Sequence, residues 1–219
     1  ASVLRSGASL LVEGALHSAP SASFTLEFFA SPACDDSGHG EGQLPLGTAQ
    51  VVTDGRGDAA FAVSLDTPVP AGWWISATAT LEPTGATSEF SACASTVWRD
   101  EGYGLAGAAG IPRLVGVGDL SAGASAALEL SGAQASALTG LFLATTGNPT
   151  PFRGGLLVPV PWITAPILIT TDGDGGLSLP FVMPAGVPAG TELWTQCAVL
   201  DAGAVKGVAL SNALVGTTP

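Results

Sequence analysis

Positive charge is nearly missing from this chain. Its 219 residues hold five Arg and one Lys, Lys206, against 18 Asp and Glu, for a net charge of −12. Six scattered cations cannot assemble a basic face, which excludes nucleic acid as a partner and disfavours an anionic membrane surface. Charge of either sign is scarce: Asp, Glu, Lys and Arg make up 11% of the chain, against about 25% in an ordinary globular domain. Long apolar runs are also missing. The mean hydropathy is +0.46, yet Gly, Pro, Ser or Thr interrupts every apolar stretch before the roughly 18 residues of a membrane span. Only two His are present, His17 and His39. No G-x-S-x-G elbow accompanies them, so a Ser-His-Asp arrangement has no sequence support. No Cys-x-x-Cys pair occurs, which removes the usual zinc and thioredoxin-like patterns. The chain lacks an initiating Met and a signal peptide, so it reads as a mature or excised segment.

What the chain has in quantity is Gly, 30 residues, and Pro, 16. That abundance is incompatible with much helix and fits short strands joined by many turns. The strands read as 9–16, 23–30, 46–53, 59–65, 73–80 and 87–93 in the first half. In the second they read as 113–120, 126–131, 138–145, 156–160, 166–171, 177–183, 192–200 and 206–214. The Ala- and Leu-rich stretch over 126–145 leaves a helical turn open.

A repeat divides the chain. Val52-Thr53-Asp54-Gly55-Arg56-Gly57 and Val69-Pro70-Ala71-Gly72 are matched, 118 residues on, by Thr170-Thr171-Asp172-Gly173-Asp174-Gly175 and Val187-Pro188-Ala189-Gly190. Phe90-Ser91 matches Leu210-Ser211 at 120, which implies a two-residue insertion. Upstream, Val12-Glu13-Gly14-Ala15-Leu16 resembles Gly116-Val117-Gly118-Asp119-Leu120. A period of this size is one β-sandwich used twice. The Asp-Gly pairs at 54–55 and 172–173 read as hairpin turns in which Gly supplies positive φ, and Val-Pro-Ala-Gly reads as a loop. Alternation places Phe61, Val63 and Leu65 on one face, and Leu179, Phe181 and Met183 on the equivalent face. Trp73, Ile75, Ala77 and Ala79 form the next inward set, with Leu193 and Cys197 among their counterparts. The expected fold is all-β, two tandem Ig-like antiparallel β-sandwiches, over residues 1–99 and 113–219. The Gly-rich run 100–112 reads as a linker.

Phe28-Phe29-Ala30-Ser31-Pro32-Ala33-Cys34, Gly38-His39-Gly40-Glu41-Gly42, Leu46-Gly47 and Thr53-Asp54 lead to Ala77-Thr78-Ala79-Thr80 and Thr87-Ser88-Glu89-Phe90-Ser91-Ala92-Cys93. This string, over roughly residues 10–93, resembles an Ig-like repeat of large secreted bacterial surface proteins, often found beside parallel β-helix regions. The second half is similar, more loosely, to β-rich C-terminal modules of such proteins. The resemblance implies an extracellular or cell-surface setting, no catalysis and no cofactor. In an oxidising compartment Cys34 is expected to pair with Cys93, and the resembling repeats carry Cys at both positions. Cys197 is left as a buried thiol, with an intermolecular disulfide as the alternative.

Other candidate residues carry weaker signals. Asp35, Asp36 and Glu41 in one loop, and Asp172 and Asp174 in a turn, present oxygens to a calcium ion, but without the spacing of a known calcium loop. Acidic turn residues are ordinarily turn formers. Glu27 and Glu41 are possible paired carboxylates by composition alone. A lone lysine, Lys206, is the one residue available for a Lys–Asn cross-link. Trp74 and Trp194 fall on the outward parity of equivalent strands, where an indole docks a partner, stacks on a sugar or is covered by neighbouring chain. The expected function is a non-enzymatic, self-assembling surface or filament subunit whose partners are copies of itself or neighbouring domains. Edge pairing would run through Ser9-Leu10-Leu11-Val12 or through Ala209–Val215. The alternative is a carbohydrate-binding or adhesin module that takes glycans through its Trp residues.

Overall fold

The computed structural model describes residues 1–6, 9–70 and 72–219. The chain is all-β: no helix occurs among these residues, and therefore none long and apolar enough to cross a membrane. It separates into two compact units, Ala1–Thr96 and Val97–Pro219.

The first unit contains β1 (Ser2–Ser6), β2 (Ser9–His17), β3 (Ser23–Ser31), β4 (Leu44–Val52), β5 (Asp58–Leu65), β6 (Trp74–Leu81), β7 (Ala86–Thr87) and β8 (Ala94–Ser95). Strand β2 lies between β1 and β5, and an opposing antiparallel sheet has the order β4-β3-β6, with β7 and β8 both pairing with β6. The alternation read from the sequence sets the facing. Leu10, Val12, Phe24, Leu26, Phe28, Leu65 and Ile75 are buried in one core, against which Phe61, Val63, Trp73 and Ala77 pack.

The second unit contains β9 (Trp98–Gly102), β10 (Arg113–Gly118), β11 (Ser125–Ser131), β12 (Leu138–Ala144), β13 (Gly147–Phe152), β14 (Gly155–Pro159), β15 (Ile167–Thr170), β16 (Leu177–Val182), β17 (Glu192–Leu200), β18 (Val208–Leu210) and β19 (Ala213–Thr217). Strand β11 lies between β10 and β16, and a second sheet runs β15-β12-β17-β19-β9, with β18 also on β17. The hairpin β13–β14 is a two-stranded sheet of its own. The region 126–145 is two strands and a turn, with no helical turn.

The two units share a plan. The central ladders coincide: Phe24↔Leu81 and Ser23↔Val52 in the first correspond to Thr139↔Val199 and Leu138↔Thr170 in the second. The repeated Thr-Asp-Gly-x-Gly segment explains the agreement. The Thr53 hydroxyl is buried, donates to the Ala19 carbonyl at 2.6 Å and accepts from the Ala22 amide at 3.0 Å. The Thr171 hydroxyl does the same with Gln134 and Ala137, at 2.7 and 2.9 Å. Asp54 Oδ1 accepts the amides of Arg56 and Asp58, and Asp172 Oδ1 those of Asp174 and Gly176. Gly57 and Gly175 adopt φ of 92° and 76°, and a methyl on either would overlap the carbonyl oxygen of Ser18 or Ala133. Each segment thus carries the chain from β4 to β5 or from β15 to β16, strands of different sheets, and fastens it to the turn between β2 and β3 or between β11 and β12; it is not a hairpin, and Gly57 and Gly175 take the positive φ expected of Gly55 and Gly173.

Several sequence readings are corrected. Residues 100–112 are not a spacer. Trp98–Gly102 pairs with β19, Leu105 bridges Leu210, and the Ala108 amide donates to Asp201 at 2.8 Å. Glycine there serves close approach, since a methyl at Gly107 would overlap the Asp201 carboxylate. The segment Gly116–Leu120 does not correspond to Val12–Leu16, because β10 takes the place of β1 beside β11. The stretch 87–93 is strand only at Thr87, and 206–214 is broken at Ser211–Asn212. Of the Val-Pro-Ala-Gly loops, Ala71 lies outside the described residues.

Candidate interaction surface and the acidic loops

Cys34 and Cys93 form a disulfide. It ties the excursion between β3 and β4 to the chain running beside β6. The same excursion is held by amide bonds from Gly40 to the Ser91 carbonyl at 3.1 Å and from Cys93 to Gly38 at 3.0 Å. Gly40 lies directly on Ser76, where a larger residue would overlap it. The outer face of β6 is therefore covered by the unit's own chain.

The second unit covers the outer face of β17 with the β13–β14 hairpin. Gly147 lies flat on the Trp194 ring, and the indole Nε1 donates to Glu192 Oε2 at 2.8 Å. The Gln196 side chain is fully buried beneath the hairpin, accepting the Val158 amide at 2.9 Å and donating to the Ser211 carbonyl at 3.0 Å. Trp194 is thus half-buried and covered by its own unit's chain, one of the alternatives open to an outward indole. Trp74 is also half-buried. On the shared ladder register Trp194 corresponds to Ser76, two residues from Trp74.

Neither expected pairing edge is free. Leu10, Leu11 and Val12 lie in β2, bonded to β1 through Arg5, Leu4 and Val3 and to β5 through Leu65, Ser64 and Val63. Ala209–Val215 is buried throughout. β18 pairs with β17, and β19 lies between β17 and β9. Both segments carry the apolar residues expected of an edge contact because they are interior strands.

β15 ends its sheet's path, one of several terminal strands with β4, β5, β10 and β16. Leu168 lies opposite Gly140, whose missing side chain leaves room for it beside Phe142. The Phe142 ring is 5.1 Å from Trp162 and 5.8 Å from Phe152. Leu168 is 67% exposed, Trp162 47% and Leu138 45%, with Ile163 and Ile167 also exposed. The sequence signal was present: between Glu129 and Asp172 the one charged residue is Arg153.

The acidic loops are organised by their own backbones. Asp35 Oδ1 accepts the Ser37 amide at 2.8 Å. Bonds from the Ser37 amide and hydroxyl hold the Asp35 carboxyl below its ordinary value. Asp54 is lowered in the same way, by the amides of Asp58 and then Arg56. Asp35, His39, Glu41, Glu89 and Phe90 line an open acidic recess. Asp172 uses Oδ1 on its own turn, and Asp174 is exposed there. Among the described residues, no group of three or more His, Cys, Asp or Glu is placed to hold a metal ion. His17 pairs with Asp58 at 2.7 Å on an exposed surface, and Lys206 is exposed in a turn. Cys197 is a free thiol, fully buried, and burial pushes its pKa up to about 12.

No protein-family model matches the chain, and no curated protein is similar to it.

Proposed function

We propose that the chain is a pair of tandem Ig-like modules of an extracellular surface protein, non-enzymatic, that associates with copies of itself. The observation that carries the reading is the uncharged, solvent-exposed β15 edge with Leu168, Trp162 and Leu138 beside it. Sheet edges in monomeric proteins ordinarily carry Lys, Pro or a bulge to prevent pairing. Here Pro166 stands before one end and Asp172 just beyond the other, while the strand itself carries no charge. An antiparallel partner of the same sequence would satisfy the free backbone groups and cover the apolar residues in one step. Support for the Ig-like assignment comes from the three-stranded sheet opposed to a larger one in each unit. Support for an oxidising compartment comes from the disulfide.

Sedimentation velocity and negative-stain microscopy over rising concentration test the reading. The chain is expected to associate, and Leu168→Lys to hold it monomeric. A strict monomer at high concentration removes the reading.

A second reading, a glycan-binding module, is favoured by one residue. Trp162 presents an exposed indole against Phe142, a geometry suited to stacking on a sugar ring. Glycan-array binding abolished by Trp162→Ala, in a chain that stays monomeric, would select it.

A further inference from the structure

Of the terminal strands β4, β5, β10, β15 and β16, only β15 carries neither proline nor charge. Pro45 lies in β4, Asp58 in β5, Arg113 in β10 and Pro180 in β16. Either feature on an edge hinders the addition of a further strand. Ile167–Thr170 has no such obstacle within it.

The hydrogen-bond phase of β15 decides which of its backbone groups face outward. The Thr171 amide donates to the Ala137 carbonyl at 3.0 Å. In an antiparallel ladder, bonded and unbonded levels alternate. Thr139↔Ile169 and Leu141↔Ile167 are thus the bonded levels to β12, and Leu138↔Thr170 and Gly140↔Leu168 the unbonded ones. Leu168 and Thr170 accordingly turn both N–H and C=O away from β12. The row of donors and acceptors closes at both ends. Pro166 has no N–H. Asp172 spends its amide on the Gly176 carbonyl and its carbonyl on the Ser136 amide, both at 2.8 Å.

Such a row is complementary to a second copy of itself in one register. Antiparallel copies set Leu168 of each against Thr170 of the other, and every outward amide and carbonyl of these residues is then bonded. A slip one way faces Thr170 with Pro166, which returns no bond. A slip the other way faces Leu168 with Asp172, whose groups are already taken. Ile169 falls on the two-fold axis, against its own copy. It shares with Ile167 the face on which Thr139 and Leu141 are buried, yet Ile169 is half-buried and Ile167 44% exposed. Charge agrees with this partner. In a chain of net charge −12 an uncharged edge fits an uncharged strand, and the register sets each Asp172 opposite Pro166, keeping the two carboxylates at opposite ends of the contact.

We propose that β15 pairs with β15 of a second copy, Leu168 against Thr170 and Ile169 on the axis, in a closed dimer whose sheet runs from one copy into the other. The register rests on self-association through the β15 edge and adds its limit: an isologous pairing uses the edge up, so this contact stops at two chains.

Cross-linking on the full chain tests the register, with Cys197→Ala as background so that the introduced thiol is the reactive one. Ile169→Cys is expected to give, on mild oxidation, a disulfide-linked species of two chains and nothing larger, because facing Cα atoms at an unbonded level lie about 4.5 Å apart. Leu168→Cys and Thr170→Cys are expected to link when mixed and far less when alone. Thr170→Pro removes an amide that faces away from β12, a position where an edge strand tolerates proline. Its far-UV circular dichroism should be unchanged, and sedimentation velocity should show association weakened by about tenfold or more, the range of two lost hydrogen bonds. A chain that stays monomeric removes the register together with the self-association beneath it. A chain that associates but links through Leu168→Cys alone and not through Ile169→Cys, that links into larger species, or that associates undiminished as folded Thr170→Pro, overturns the closed dimer and leaves self-association standing.

Discussion

At the scale of single residues, the two threonines of the repeated corner do more than their size suggests. Thr53 and Thr171 each join a donor and an acceptor on the neighbouring turn, inside the protein where water cannot substitute. Replacing either by Val keeps the shape and strands both backbone partners. A loss of about 1–3 kcal/mol is expected for each, largely restored in the Ser variant and measured by urea denaturation. Cys197 supplies a pH dependence. In the unfolded chain its thiol ionises near the ordinary value of 9.0, and in the folded protein only at about 12. The unfolded state therefore releases a proton first as pH rises. Cys197's contribution to stability is whole below about pH 9 and is lost between there and 12. Cys197→Ala is expected to flatten that alkaline decline, and a thiol reagent at pH 8 should label Cys197 only on unfolding.

At the scale of elements, the disulfide acts on the irregular stretch between β7 and β8. From Ser88 to Cys93 the bonds to β6 are those of Ser88 and Ser91, whose hydroxyls accept the Ala79 and Ala77 amides, so closing the loop from Cys34 replaces order that a regular ladder would give. The sequence separation is 59 residues, for which the chain-entropy model gives about 4 kcal/mol. Reduction, or a double Cys→Ser variant, is expected to lower the first unit's unfolding free energy by up to that amount, read by calorimetry. The same elements mark what the sequence allowed to be read. Alternation set the inner faces of β5, β6 and β16, and the Thr-Asp-Gly-x-Gly repeat located an equivalent turn in both units, though not that it joins two sheets. Pairing state was not legible. Leu10-Leu11-Val12 and Ile167-Leu168-Ile169 are similar apolar triplets, yet one is flanked by strands on both sides and the other on one. That difference is decided by residues far away in sequence. Strand β13 escaped notice because Pro149 and Pro151 oppose a ladder, and its register with β14 does slip there. The linker reading failed because glycine marks close packing as readily as flexibility.

At the scale of the whole molecule, net charge and the apolar edge oppose each other. Two copies bearing −12 each repel, while β15 and its neighbours offer a contact without charge. The balance depends on salt, because at about 0.15 M exposed charges more than roughly 8 Å apart are largely screened. Association through the β15 edge is therefore expected to strengthen as NaCl rises, since screening weakens the repulsion and leaves the apolar term intact. A contact made by ion pairs has the opposite slope. Sedimentation velocity at 20, 150 and 500 mM NaCl separates the two on the unmodified chain. Leu168→Lys is expected to reduce association at every salt concentration, because the introduced ammonium must be desolvated at the contact. Association that weakens with salt, or that is unchanged by Leu168→Lys, would place the contact on another surface and leave the β15 edge without its proposed role.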